Sequence, residues 1–106
     1  MIKSKPSVQE PDACVFRDSG NINGLATSNA LLLAIELSDS SLRDDLGPKR
    51  LSYAKAGVPH YWVVDINAAQ THVMGDPVKG DYGSHDTVPF GKSIGVPGTG
   101  RKVRIG

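Results

Sequence analysis

The longest apolar run in the chain, Ala30 to Ile35, meets one acid at Glu36 and resumes at Leu37. Both alternating faces of Leu31-Leu32-Leu33-Ala34-Ile35-Glu36-Leu37 are apolar, a pattern that predicts a central strand covered on two sides. A shorter run, Ala13-Cys14-Val15-Phe16, predicts an earlier strand opened by Pro11-Asp12. Between them, Arg17 to Asn29 is rich in Gly, Asn, Ser and Asp without periodicity and predicts a loop. Residues 1–10 are polar and predict a flexible N-terminus.

From Ser41 to Ala56 the period changes. Leu42, Leu46, Lys49, Tyr53 and Ala56 step by four, three, four and three residues, which would place them on one helical face. Gly47-Pro48 interrupts the phase, and Pro suits the first position of a helix. The expectation is therefore a short turn at 41–46 and a helix from about 48 to 56, with Gly57 as C-cap and Pro59 beyond it. Tyr61-Trp62-Val63-Val64 predicts a further strand ending at Asp65, a turn at 66–69, and a return strand from Gln70 to Met74. After Gly75 the chain is rich in turn residues, with weak strand candidates near 85–90 and 102–105. The order strand, strand, helix, strand, strand implies an α/β (α+β) architecture with a mixed sheet and helices packed on it.

Length and charge narrow the picture a little. The 106 residues fit a single domain with a modest core. No apolar run approaches the span of a bilayer, and no signal-peptide pattern opens the chain, so no membrane and a cytoplasmic setting are expected. The single Cys14 cannot form an internal disulfide and lies in an apolar run, which predicts a buried thiol. A net charge of +1 does not by itself indicate a nucleic-acid binder. His60, His72 and His85 are dispersed without metal-ligand spacing and suit surface or packing roles.

Two residues break the hydrophobic pattern. Glu36 sits in the most apolar strand, where an unpartnered carboxylate would cost several kcal/mol. Lys49 shares a helical face with Tyr53, the face expected to turn inward. Each has an ordinary explanation: a strand-end acid in water, a lysine extending its stem to solvent, or a structural ion pair between them. Together with Asp12, however, they would make two carboxylates and an ammonium converging from two strands and a helix, an arrangement that composition and spacing suggest. Two carboxylates suit Mg²⁺, an oxygen-seeking ion that keeps several waters. A nearby lysine suits the negative charge that develops on a phosphodiester during hydrolysis.

The segments Ile35-Glu36-Leu37-Ser38, Arg43-Asp44-Asp45, Gly47, Lys49, Tyr53-Ala54, Ala56-Gly57-Val58-Pro59 and Tyr61-Trp62-Val63-Val64-Asp65 closely resemble the Uma-two family of bacterial restriction-endonuclease-like proteins. Pro11-Asp12 before an apolar strand matches its first motif, and Pro97-Gly98 a segment near its end. The resemblance covers roughly residues 9–98 and is most specific from Lys49 through Asp65. It implies the PD-(D/E)XK nuclease core, a central mixed β-sheet flanked by helices. Carried over by position, Asp12 and Glu36 would hold Mg²⁺ (with Mn²⁺ as a substitute), completed by the carbonyl of Leu37, and Lys49 would be the catalytic lysine. That lysine comes from the helix; two residues after the glutamate this chain has Ser38.

The chain departs from the family's pattern at Asp39, Pro48 and His60, and it begins almost at the first acid. A single partial domain over 1–106, truncated at its N-terminus, is the expectation, and self-association as a homodimer would cover a missing sheet edge. Two functions follow. One is a Mg²⁺-dependent endonuclease acting on DNA; the other is a non-catalytic remnant or protein-interaction module with a nuclease-like fold.

Overall fold

The computed structural model describes residues 11–16 and 31–106. The flexible start expected at 1–10 and the loop expected at 17–29 lie outside the described residues.

The central strand is the one that the unbroken apolar run predicts. β2 (Leu31–Ser38) lies between β1 (Ala13–Phe16), antiparallel to it, and β3 (His60–Asp65), parallel to it. A parallel neighbour demands a crossover, and two short helices form it, α1 (Leu42–Leu46) and α2 (Pro48–Lys55). β4 (Gln70–Val78) and β5 (Asp81–Pro89) then extend the sheet by antiparallel hairpins, giving the order β1-β2-β3-β4-β5. A separate hairpin of β6 (Ser93–Val96) and β7 (Arg101–Arg104) follows. The mixed sheet with its helical crossover is an α+β fold of the restriction endonuclease-like kind.

The sheet is covered on both faces, which is why β2 and β3 read as continuous hydrophobic runs. On one face Ala34, Tyr61, Val63 and Met74 pack against Leu42, Leu46, Tyr53 and Ala54 of the helices. On the other, Leu33 and Trp62 pack against Ile94, with Val96 and Ile105 beside them. Three tyrosines fill the helix side. The ring of Tyr61 stands 4.9 Å from that of Tyr53 and 5.9 Å from that of Tyr82. Each hydroxyl donates inside the protein: Tyr53 to Glu36, Tyr61 to the carbonyl of Asp45, and Tyr82 to the carbonyl of Val58. Buried aromatic hydroxyls need such acceptors.

The break between the helices has a steric cause. Gly47 has φ −108° and ψ −106°, outside the helical region, and Pro48 opens α2. A Cβ on Gly47 would lie 2.8 Å from the carbonyl oxygen of Arg43, so only glycine fits the reversal. Residues 42–46 thus form a helical turn of their own.

Several expectations need correction. β4 continues to Val78 instead of stopping at Met74, β5 fills all of 81–89, and Ser93–Val96 is a strand. Ala56 ends the helix exposed, outside the inward face. Cys14 is free and exposed. It pairs with Ala34 on the helix side of the sheet, but β1 is an edge strand, and the helices lie over β2 to β5. Among the described residues no helix is long and apolar enough to cross a membrane.

Candidate active site

The register of β1 and β2 brings the first two acids together. Ala13 pairs with Ile35 in an antiparallel ladder, so one step further places Asp12 opposite Glu36. Directly opposed residues project from the same face. Asp12 is fixed there because its Oδ2 accepts a hydrogen bond from the backbone N–H of Leu37 at 2.8 Å. Within an extended strand the N–H and C=O of one residue point the same way. The carbonyl of Leu37 is therefore directed toward Asp12 too, past the end of the β1 ladder.

Glu36 is 3% exposed, under the helix layer. Its Oε2 accepts from the hydroxyl of Tyr53 at 3.1 Å, and its Oε1 lies 3.6 Å from the ammonium of Lys49. Lys49 and Tyr53 sit one turn apart on α2, so both reach β2 from the same side. The inward face predicted for them is the face observed: Lys49 reaches Glu36 from the helix, while Asp12 stands opposite Glu36 at the end of the β1–β2 ladder. Burial pushes the Glu36 carboxyl above the usual glutamate range; Lys49 and Tyr53 oppose that shift, and the charges of Asp12 and Asp45 add to it. The Tyr53 phenol is driven far upward by burial and by the Glu36 charge, so it stays protonated and keeps donating.

Asp45, to which the sequence reading assigns no role, belongs to the same cluster. It is 1% exposed at the end of α1. Its Oδ2 accepts from the hydroxyls of Ser38 and, at 2.8 Å, Ser41; its Oδ1 lies 3.1 Å from the Lys49 ammonium. Burial raises the Asp45 carboxyl, but the two hydroxyls and the ammonium outweigh it and leave it below the usual aspartate range. Burial also disfavours the Lys49 ammonium, yet Asp45 and Glu36 more than compensate and hold it above the ordinary lysine value. The signal for Asp45 was its four-residue spacing to Lys49, the spacing of a helical ion pair.

Glu36 and Asp45 flank the Lys49 ammonium, and the charge of Asp12 reaches Glu36 from β1; three carboxylates and one ammonium leave an excess of two negative charges when all are ionised. That is the charge of one divalent cation, and it fits the donor set: hard oxygens from Asp12 and Glu36, with the Leu37 carbonyl directed to the same edge. Among the described residues, no three or more His, Cys, Asp or Glu side chains are grouped to hold a metal. The fit is therefore to an ion that takes two carboxylates and fills its remaining positions with water. Elsewhere, His72 and His85, which look dispersed in sequence, face each other on β4 and β5 with ring nitrogens 3.0 Å apart. Trp62 is core, and Asp65 accepts from the N–H of Ala68 at 3.2 Å as a turn residue.

The fold is that of a restriction endonuclease-like domain, and comparison with known families gives the particular one. Residues 2–104 match the model of the family Uma2, described as "Putative restriction endonuclease". The chain belongs to the Uma2 family. No curated protein and no solved structure matches it.

Proposed function

We propose that the chain is a Mg²⁺-dependent endonuclease that hydrolyses phosphodiester bonds in DNA, with Asp12 and Glu36 as metal ligands and Lys49 as the catalytic lysine. The observation that carries this reading is the buried Glu36 carboxylate. It lies within 3.6 Å of an ammonium and feels the charge of a second acid, Asp12, in a cluster that carries two excess negative charges when all its acids are ionised. Uncompensated charge is costly on a desolvated strand end, and an excess of two negative charges there suits a divalent cation.

The cation, when bound, supplies charge neutralisation and lowers the cost of generating hydroxide from water. The chain's own groups do the rest. Tyr53 holds Oε2 of Glu36 by its hydroxyl, and the Leu37 N–H holds Oδ2 of Asp12, so both carboxylates are oriented before any ion arrives. Pre-set ligands of this kind avoid reorganisation when the reaction occurs. Lys49, kept protonated by its two acidic neighbours, donates to the non-bridging phosphate oxygen on which charge builds. Water attacks phosphorus and gives up a proton to solvent as the new P–O bond forms, the P–O bond to one deoxyribose breaks, and the leaving oxygen takes up a proton from solvent.

The test is nicking of supercoiled plasmid. Activity that requires Mg²⁺ or Mn²⁺ and falls by at least about a hundredfold in Lys49→Ala is expected, as for loss of a single charge-stabilising donor. Activity that survives Lys49→Ala would come from a contaminant and would end this reading. The reading as a non-catalytic module predicts no metal-dependent nicking by the wild type at all.

A further inference from the structure

Asp45 is tied to three elements by bonds that leave one oxygen for one partner. Its main chain closes the α1 turn through an N–H donated to the Ser41 carbonyl at 2.9 Å, and its own carbonyl accepts from Tyr61 of β3 at 2.7 Å. Its side-chain Oδ2 is held by Ser38 from β2 and by Ser41 from the start of α1. Oδ1 is left facing Lys49 at 3.1 Å, closer than Glu36 is to the same ammonium. A lysine has a flexible four-carbon stem and a point charge without preferred direction. Lys49 is nevertheless only 27% exposed, bridged between the two acids.

We infer that Asp45 is a positioning residue: anchored by Ser38 and Ser41, it holds the Lys49 ammonium beside Glu36 without itself touching metal or substrate. The inference rests on the proposed role of Lys49. Ser38 thereby acquires a role at the place where a lysine two residues after the glutamate would stand. Its hydroxyl helps fix the acid that holds the helix-borne lysine.

The experiment combines an NMR measurement of the lysine ammonium groups with nicking kinetics, on wild type, Asp45→Asn and Ser41→Ala. An ammonium held between carboxylates exchanges slowly with water and gives a resolved signal, assigned to Lys49 by its absence in Lys49→Arg. That signal should be present in wild type, weakened in Ser41→Ala and lost in Asp45→Asn. In parallel, Asp45→Asn should lower kcat by roughly a hundredfold, the loss expected from a misplaced catalytic group. KM for DNA and the metal concentration for half-activity should not change. A Lys49 signal unaltered in folded Asp45→Asn would overturn the inference, as would a raised metal requirement, which would make Asp45 a ligand. Should Asp45→Asn fail to fold, Ser41→Ala decides by the same signal. If the wild type cuts no DNA, the nuclease reading falls, while the ammonium signal still decides whether Asp45 holds Lys49.

Discussion

Glu36 and Asp45 are both buried acids within reach of Lys49, yet folding moves them in opposite directions. For Glu36, desolvation dominates and the folded carboxyl titrates above its ordinary value of 4.5. The folded state then binds the proton more tightly than the unfolded state. This group's contribution is most favourable below the ordinary value and is lost as pH rises through the folded one. Asp45 is depressed below its ordinary 3.8, so its contribution is present above that value and is lost as pH falls through the folded pKa. Glu36→Gln, which keeps the shape and an acceptor for Tyr53, should therefore raise the melting temperature of the metal-free protein at neutral pH. It should also flatten the decline in stability on the alkaline side of pH 4.5. A melting temperature that falls at neutral pH would mean that the ion pair with Lys49 outweighs desolvation. Such a gain would mark Glu36 as a charge retained at a cost in stability, as expected where a residue is kept for function.

The same residues explain what was legible at this scale. Glu36 and Lys49 could be read because each interrupts an apolar pattern whose direction was clear. Asp45 could not, because it sits beside Asp44 in a charged run that resembles a solvated surface. Which of two adjacent acids turns inward depends on helical phase, and Gly47-Pro48 breaks that phase just where it was needed. Cys14 misled for a different reason. Its neighbours are apolar, but burial depends on what covers the strand, and β1 lies at the sheet edge.

Among the elements, β2, α2 and β3 follow from periodicity and from the Ala56-Gly57-Val58-Pro59 exit. The β4–β5 hairpin does not, because Gly75, Asp76 and Pro77 look like strand breakers. β3 ends its pairing with β4 at His60 opposite Gly75, so beyond that point β4 has a partner only on the β5 side. The two-residue turn makes Val78 and Asp81 the hydrogen-bonded pair and Pro77 and Tyr82 the next, non-bonded one. The N–H that Pro77 lacks would point where no strand lies, and the ladder loses nothing. Asp76 meanwhile takes a positive φ of 58°, which strains a non-glycine residue.

The turn itself, Lys79-Gly80, has φ of 53° and 80°, the signature of a type I′ hairpin. Gly80 suits it and Lys79 does not; asparagine is the residue that tolerates this conformation best there. Lys79→Asn should stabilise the protein by about 0.5–1 kcal/mol, read as a higher urea midpoint at unchanged slope. An unchanged or lower midpoint would show that Lys79 bears no strain in this turn.

At the scale of the molecule, two layers hold the site in place. The helices cover one face of the sheet and carry Lys49 and Tyr53 to it; the β6–β7 hairpin covers the other and encloses Trp62 with Leu33. The cluster of Asp12, Glu36 and Asp45 lies at the C-terminal end of β2, the end from which the crossover leaves. A net charge of +1 conceals this, because a whole-chain sum is blind to folding that brings Asp12, Glu36 and Asp45 to one place. Whole-chain electrostatics therefore say little about DNA, and the case for it rests on the cluster and on membership of the Uma2 family.

The central claim is that Asp12 and Glu36 hold a divalent cation, and a thermal melt with and without millimolar Mn²⁺, on wild type and on Glu36→Gln, tests it most directly. A ligand at about a hundredfold its Kd stabilises the native state by roughly 2.7 kcal/mol. In a domain of this size that amounts to a rise of about 10 °C or more. The account predicts that Mn²⁺ raises the melting temperature of the wild type and leaves Glu36→Gln unmoved, although the variant starts higher without metal. A wild type that does not respond, or a shift of equal size in Glu36→Gln, would contradict it.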